Sequence, residues 1–101
     1  MFSFSTAWNA DRLLDAESIV QEIAELGLQQ IELNFSLTRD MVEAAHRAAQ
    51  ARRITISSLH NYCPIPEGLK REEALPDCYS LSALDEAERR RAVACTRITI
   101  D

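Results

Sequence analysis

Glycine and proline are scarce in this chain, and long apolar runs are missing. Two glycines and three prolines among 101 residues exclude a collagen-like chain and argue against flexible linkers. A hydrophobic fraction of 47% and a charged fraction of 27% are typical of a globular domain rather than a disordered chain. The length allows one small domain and not two.

No segment approaches the roughly 18 consecutive apolar residues that a membrane-spanning helix needs. The N-terminal residues Met1 to Phe4 also lack the basic region and the apolar core of a secretory signal peptide. We therefore predict a cytoplasmic protein with no membrane partner.

Basic residues are outnumbered by acidic ones. The chain has 11 Lys and Arg against 16 Asp and Glu, which gives a net charge of −5. Proteins that bind the phosphate backbone of a nucleic acid usually present a basic face, so a nucleic-acid partner is not expected. The basic run Arg89, Arg90 and Arg91 follows Asp85, Glu86 and Glu88 at spacings that predict ion pairs on a solvated helix face.

Cysteine is also sparse. The three cysteines, Cys63, Cys78 and Cys95, are odd in number and widely spaced. They match neither a disulfide framework nor a C-x-x-C metal or redox motif. We predict three reduced thiols with no shared role.

Three predicted strands alternate with three predicted helices. Short runs rich in β-branched and aromatic residues indicate the strands, and apolar residues three or four positions apart indicate the helices. The predicted bounds are β1 2–8, α1 16–26, β2 29–35, α2 39–52, β3 54–60 and α3 83–101.

Capping residues support several of these ends. Asp15 and Thr38 fit the N-caps of α1 and α2, and Gly27 fits a left-handed C-cap of α1. Ser82, with Asp85 three positions later, resembles a capping box for α3. Residues 97–101 alone also fit a strand, but nothing breaks the helical pattern before them, so one continuous helix is favoured. A chain that stops inside such a helix is expected to be a fragment.

The segment 61–81 has no clear periodicity. A connection of roughly 20 residues is long, and ordered loops of that length are usually functional. Its aromatic and apolar residues favour an ordered, packed conformation. We therefore predict an active-site loop over 61–81.

Strands that alternate with helices predict parallel pairing through right-handed crossovers. We interpret the chain as an α/β fold of parallel βα units, the N-terminal three-strand portion of a (β/α)8 TIM barrel. A closed barrel needs eight strands and typically about 250 residues, so three strands leave two open sheet edges. We expect marginal stability or self-association through those edges.

Side chains at the strand ends form the predicted site, because ligands of parallel α/β folds bind there. The candidate substrate-binding residues are Trp8, Glu32, Asn34, His60 and Asn61. Glu32 and Asn34 share a polar face of β2, which is unusual for a buried parallel strand and indicates a wet cavity. No residue is assigned a catalytic step.

Each candidate also has a structural interpretation. Glu32 could pair with an Arg or Lys, His60 could be a structural histidine, and Trp8 could simply pack at the barrel mouth. His60 is the candidate metal ligand. With Glu32 it supplies two ligands, fewer than the three or four that a metal site usually requires.

Two strings resemble the xylose isomerase-like TIM barrels, a superfamily of sugar isomerases, sugar epimerases and endonuclease IV. One is Ile-Glu-Leu-Asn at 31–34 after the turn at Gly27, and the other is Ile-Ser-Ser-Leu-His-Asn-Tyr-Cys-Pro at 56–64. The helix over 85–93 resembles the third helix of that superfamily. The resemblance extends over nearly the whole chain.

The resemblance implies chemistry on a sugar or sugar phosphate, or on abasic DNA in the endonuclease branch. It also implies a divalent Zn, Mn or Mg ion in the barrel mouth. His60 matches the strand-three histidine that ligates zinc in the endonuclease branch, and Glu32 matches the strand-two acidic residue near the substrate. The metal-binding residues of later strands have no counterpart in this chain.

Our first hypothesis is therefore a fragment of a metal-dependent sugar (phosphate) isomerase or epimerase-like enzyme that is inactive alone. One alternative is a non-catalytic binding or assembly module completed by another chain. Others are a stand-alone α/β domain with a small-molecule site and a fragment of an endonuclease IV-like phosphodiesterase. The acidic net charge favours a sugar over DNA.

Overall fold

A computed structural model describes residues 2–13, 15–51, 53–75 and 78–101. These residues form a parallel sheet flanked by helices. The strands are β1 Ser3–Ser5, β2 Gln30–Leu33 and β3 Thr55–Leu59, and the helices are α1 Ala16–Glu25, α2 Arg39–Gln50 and α3 Glu86–Ile100. Short 3-10 turns at Thr6–Trp8 and Arg71–Glu73 lie in the connections.

The sheet has the order β1-β2-β3, and both pairings are parallel. The predicted α/β architecture of parallel βα units is thus confirmed. Glu32 of β2 lies opposite Ser5 of β1 and Ser58 of β3. A register shift after Ile31 leaves Ser57 as the extra residue of a bulge in β3.

The predicted caps of α1 and α2 are present. The Asp15 carboxylate accepts a hydrogen bond from the Ser18 amide at 2.9 Å, and the Thr38 hydroxyl accepts one from the Met41 amide at 3.3 Å. Each bond satisfies an amide that the first helical turn leaves unpaired. Gly27 follows α1 with φ +81°, the left-handed conformation that its missing Cβ permits.

The strands are shorter than predicted, for reasons visible in their ends. β1 stops at Ser5, whose hydroxyl accepts from the Ala7 amide at 3.2 Å and starts a 3-10 turn in place of the predicted strand over 6–8. β2 stops at Leu33, because the Asn34 amide donates to the Thr6 hydroxyl instead of to a strand partner. β3 loses one predicted residue at each end.

The helix bounds also need correction. Asp85 is itself the N-cap of α3, since its carboxylate accepts from the Ala87 amide at 3.1 Å, so the predicted start at 83 is wrong. Residues 97–100 are helical, as the favoured alternative predicted. α2 ends at Gln50; position 52 and positions 76–77 of the predicted loop lie outside the described residues. In the described ranges no helix is long and apolar enough to cross a membrane.

The hydrophobic core lies between one face of the sheet and the pair α1 and α2. β2 contributes Ile31 and Leu33, which are almost fully buried. From the helices come Ile19, Val20, Ile23, Met41, Ala45 and Ala48. Burial of an aliphatic side chain of this size contributes about 1.5–3 kcal/mol. The core therefore fixes which face of β2 points toward the helices.

The opposite face of the sheet is polar. The residues with side chains there are Ser3, Ser5, Gln30, Glu32, Thr55, Ser57 and Ser58. Ser3 and Ser57 belong to the two outer strands, yet their hydroxyls share a hydrogen bond across β2. Because neighbouring strands lie about 4.8 Å apart, this bond requires the sheet to curl toward the polar face. We call this concave surface the polar face.

Candidate functional site

The carboxyl edge of the sheet is braced by a buried hydrogen-bond network. The Thr6 hydroxyl donates to Asn34 Oδ1 at 2.7 Å and accepts from the Asn34 amide at 2.9 Å. Asn34 Nδ2 donates to the Ser36 hydroxyl at 2.6 Å. Arg71 joins the network by donating to the carbonyls of Ser36 and Ala10, at 2.9 and 2.6 Å. One guanidinium thus connects the loops that follow all three strands.

This network determines the position of Asn34, a predicted substrate-binding residue. Its side chain is 4% exposed, and both ends of its amide are hydrogen bonded to neighbouring loops. A buried amide with its partners in place stabilises a loop and offers little to a ligand. The structure therefore gives Asn34 the role of holding the β1 and β2 loops together.

Glu32 lies on the polar face at the carboxyl end of β2. Its Oε2 accepts a hydrogen bond from the Ser58 hydroxyl at 2.8 Å. Its partner is thus a hydroxyl from β3, and among the described residues it makes no ion pair with an Arg or Lys. The other lone pairs of the carboxylate can accept further hydroxyl donors.

His60 follows β3 two positions after Ser58. Its backbone amide donates to the Leu33 carbonyl at 2.8 Å, which extends the β2–β3 pairing by one residue. Its ring packs edge-on against Phe35 with 5.2 Å between the ring centroids. Nδ1 lies 2.9 Å from the Asn61 carbonyl oxygen. Because a carbonyl oxygen only accepts, Nδ1 is the donor in this contact, and Nε2 takes no part in it.

Asn61 connects the start of the loop to α3. Its Nδ2 donates to the Thr96 hydroxyl at 3.2 Å. Its Oδ1 is buried and has no partner among the described residues. Thr96 in turn donates to the Ala92 carbonyl, so Asn61 is held by a side chain that the helix itself orients. Asn61 is thus placed to fix the backbone beside His60.

Trp8 lies away from this group. Its ring packs edge-on against Phe4 with centroids 5.2 Å apart, and the Arg12 guanidinium lies 5.3 Å from its centroid. Phe4 packs against the hydrophobic core on the helix side of the sheet. Trp8 itself is 45% exposed while it contacts Phe4 and Arg12. The structure brings Glu32 and His60 to neighbouring positions and leaves Trp8 apart from them.

The described residues do not form a complete metal site. No group of three His, Cys, Asp or Glu side chains within them could hold a metal ion. Glu32 and His60 remain two candidate ligands at neighbouring strand ends, short of the usual three or four. The residues present therefore do not fit a metal by themselves.

Two cavities lie away from Glu32, Ser58 and His60. One of about 480 Å³ opens beside α1 and is lined by Arg12, Glu17, Gln21 and Glu25 among others. Another of about 420 Å³ lies along α3 beside Val93 and Arg97. Glu32 and Ser58 lie instead on the open polar face, and His60 follows at the end of β3. Such a surface can bind a ligand only weakly until something covers it.

Sequence reasoning missed the groups that organise this edge. Thr6, Ser36, Ser58 and Arg71 make its bonds, and none of them was a candidate. A signal existed for Ser58, since two consecutive serines interrupt an otherwise β-branched strand. Arg71 had none, because it lies far along an irregular loop and reaches back over more than 30 residues to Ser36.

A scan against protein-family models, a search of curated proteins and a search of solved structures each found no match to this chain.

Proposed function

We propose that the chain is the N-terminal three-strand portion of a xylose isomerase-like (β/α)8 barrel. In this proposal it is part of a metal-dependent sugar (phosphate) isomerase or epimerase-like enzyme and is inactive alone. Its polar face forms the first part of the sugar pocket. The observation that carries the proposal is the asymmetry of the sheet, apolar against the helices and polar on its concave side.

A parallel sheet normally has both faces covered and apolar. In a (β/α)8 barrel the helices cover only the outer face of the sheet, so a concave face without helices is suited to the inside of a barrel. Glu32 lies at the carboxyl end of that face, which is where barrel enzymes bind their substrates. The arrangement thus supports a partial barrel over an open sheet with helices on both sides.

Hydroxyl and carboxylate groups on this face match a polyhydroxylated ligand. The Glu32 carboxylate already accepts from one hydroxyl, that of Ser58, and its free lone pairs would accept from sugar hydroxyls. Ser3, Ser57 and Ser58 provide hydroxyls that can donate or accept. His60, which follows β3, would supply Nε2 as a hydrogen-bond partner or as a metal ligand.

A divalent ion, Zn, Mn or Mg, belongs to the proposed full enzyme. His60 would be one of its ligands, with Glu32 as a second candidate, and the remaining ligands would come from residues that this chain does not place nearby. Such an ion would polarise a substrate carbonyl. The chain's own contribution is to orient the sugar through Glu32 and to hold the His60 ring through its Nδ1 contact with the Asn61 carbonyl.

A nuclear magnetic resonance titration tests this proposal. Pentoses, hexoses and their phosphates are added to the isotope-labelled chain, and amide shifts are followed. Shifts are expected for Glu32, Ser58 and His60, with millimolar affinity because the site is open. Glu32→Gln should weaken binding at least threefold, since a neutral amide is a poorer acceptor. Glu43→Gln, a matched change on exposed α2 surface, should leave it unchanged.

Manganese serves as the metal probe in the same experiment. Mn²⁺ should broaden resonances around His60 and not around His46, which is exposed on α2. His60→Ala should abolish that broadening, and His46→Ala should not. Sugar shifts confined to the cavity beside α1, or a response to abasic duplex DNA in place of sugars, would contradict the proposed function.

A further inference from the structure

A short segment of the long loop lies along α3 in a regular way. The Ser80 amide donates to Glu88 Oε1 at 3.3 Å, and the Arg91 guanidinium lies 5.3 Å from the Tyr79 ring centroid. Tyr79 precedes Ser80 by one residue, and its partner Arg91 follows Glu88 by three. Each residue toward the start of the loop therefore contacts α3 about one helical turn further on.

Continuing this correspondence brings two thiols together. Glu88, Arg91 and Cys95 are spaced by three and four positions, so they share one face of α3. Cys78 precedes Tyr79 and is the next loop residue to meet that face. Both thiols are free and partly exposed, whereas Cys63 is buried. Cys78 and Cys95 are thus the two accessible thiols of the three, and Cys63 is enclosed.

Electrostatics agree with the proximity of Cys78 and Cys95. Burial raises the pKa of the Cys95 thiol, and the charge of a Cys78 thiolate raises that pKa further. Arg91, one turn before Cys95 on the same face of α3, acts in the opposite direction on the same pKa. Burial raises the pKa of the Tyr62 hydroxyl, which donates to the Tyr79 carbonyl, and the charges of the Cys78 and Cys95 thiolates raise it further.

We propose that Cys78 and Cys95 are a redox modification site that forms a reversible disulfide, fastening the 61–81 loop to α3. This proposal replaces the expectation that the three thiols have no shared role. It rests on the packing of the loop against α3 and is independent of the proposed function.

The oxidant is a small disulfide of the glutathione type. One of the two thiolates attacks a sulfur of the oxidised glutathione, which forms a protein–glutathione disulfide and releases one glutathione thiolate. The second protein thiolate attacks the bound sulfur of its neighbour and releases the second glutathione thiolate. Two thiols lose two electrons and two protons in total, and one glutathione disulfide is reduced to two glutathione thiols.

The new bond would reinforce contacts that already join loop and helix. The loop is held at its start by the Asn61–Thr96 bond and by the Cys63 amide, which donates to the Thr99 hydroxyl at 3.0 Å. A Cys78–Cys95 bond adds a covalent attachment at the other end of the loop. The closed ring spans residues 78–95, which is 18 residues.

The experiment treats the reduced 101-residue chain with oxidised glutathione under native conditions. Free thiols are then alkylated, and peptides are mapped by mass spectrometry. The expected product is monomeric, links Cys78 to Cys95, and has Cys63 alkylated only after unfolding. A ring of this size should raise Tm by roughly 12–24 °C. The same reaction in denaturant is the control, because there the three thiols should pair without preference.

Variants separate the roles of the three thiols. Cys63→Ser should still form the bond, while Cys78→Ser and Cys95→Ser should stop at a glutathione adduct. Stable glutathione adducts on both Cys78 and Cys95 of the native chain, or pairing that involves Cys63, would overturn the proposed site. A Cys78–Cys95 bond that leaves Tm unchanged would overturn its fastening role.

Discussion

The two ends of the molecule are held by different forces. The first region, residues 2–51, buries Ile19, Ile23, Ile31 and Leu33 at 2% exposure or less in one continuous core. The second region, residues 61–101, contributes little to that core. Along α3 only Ala92 is buried, while Ile98 is 48% exposed and Ile100 is 75% exposed.

Hydrogen bonds attach the second region instead. The Ile65 amide donates to the Leu37 carbonyl at 2.9 Å, and the Arg71 guanidinium donates to the carbonyls of Ser36 and Ala10. A neutral hydrogen bond contributes only about 0.5–1.5 kcal/mol net, less than a buried aliphatic side chain. The first region therefore determines the global stability of the chain, whereas the second region can unfold locally.

The largest expected effect comes from the core. Ile31→Ala should lower the free energy of unfolding by about 2–5 kcal/mol, because it removes a fully buried side chain and leaves a cavity. Ile98→Ala on the exposed side of α3 should cost less than about 0.5 kcal/mol. Urea unfolding followed by circular dichroism measures both changes.

Ile31→Val keeps this test measurable if the alanine variant does not fold. It should cost about 0.5–1.5 kcal/mol, still more than Ile98→Ala. Equal losses in the free energy of unfolding at positions 31 and 98 would contradict the difference between the two regions, since they would show that α3 carries as much burial as β2.

The first region was also the more predictable from sequence. Strict alternation in β2 assigned Ile31 and Leu33 to the core and Glu32 to the polar face, and the structure places them so. The caps Asp15 and Thr38 were readable because a capping bond depends on residues three positions away. Local signals sufficed wherever the bonds that matter are local.

Long-range side-chain bonds explain most of what sequence reasoning missed. Asn34 looked like a site residue by alternation, but Thr6 lies 28 positions earlier and captures it. Arg71 lies 61 positions from Ala10, and no periodic pattern in the sequence predicts that contact. At α3, Ser82 was predicted to cap the helix with Asp85 at its third position, whereas Asp85 itself is the N-cap and accepts from the Ala87 amide.

The next prediction compares two asparagines. Asn34→Ala should lower the free energy of unfolding by about 1–3 kcal/mol, because it removes the acceptor of the buried Thr6 hydroxyl and the amide donor to the buried Ser36 hydroxyl. Asn61→Ala removes only the bond to Thr96, at the junction with the second region. It should chiefly raise amide exchange in α3, with a smaller global cost. Hydrogen exchange resolved by residue measures the difference.

A uniform rise in exchange for Asn61→Ala, equal in α1 and α3, would argue against a separately attached second region. The Asn34 variant supplies the reference, since the network of Thr6, Asn34 and Ser36 belongs to the first region apart from its contact with Arg71.

The smallest expected effect is a pH dependence at Cys63, where the two regions meet. Its thiol packs in the core of the first region while its backbone amide bonds to Thr99 of α3. Burial raises the pKa of this thiol from 9.0 to about 12. The folded state therefore holds the proton more tightly than the unfolded state does, so this contribution is complete below pH 9 and is lost as pH rises toward 12.

Between those limits the free energy of unfolding falls by about 1.4 kcal/mol for each pH unit. Cys63→Ala should flatten the alkaline limb of the stability curve by that amount between pH 9 and 10, measured by urea unfolding with reductant present. Cys95→Ala is the comparison, because burial raises the pKa of that thiol as well but leaves it partly exposed. Cys95→Ala should flatten the alkaline limb of the stability curve less than Cys63→Ala does. A larger flattening at Cys95 than at Cys63 would place the better-protected thiol on α3 and reverse the order of the two regions.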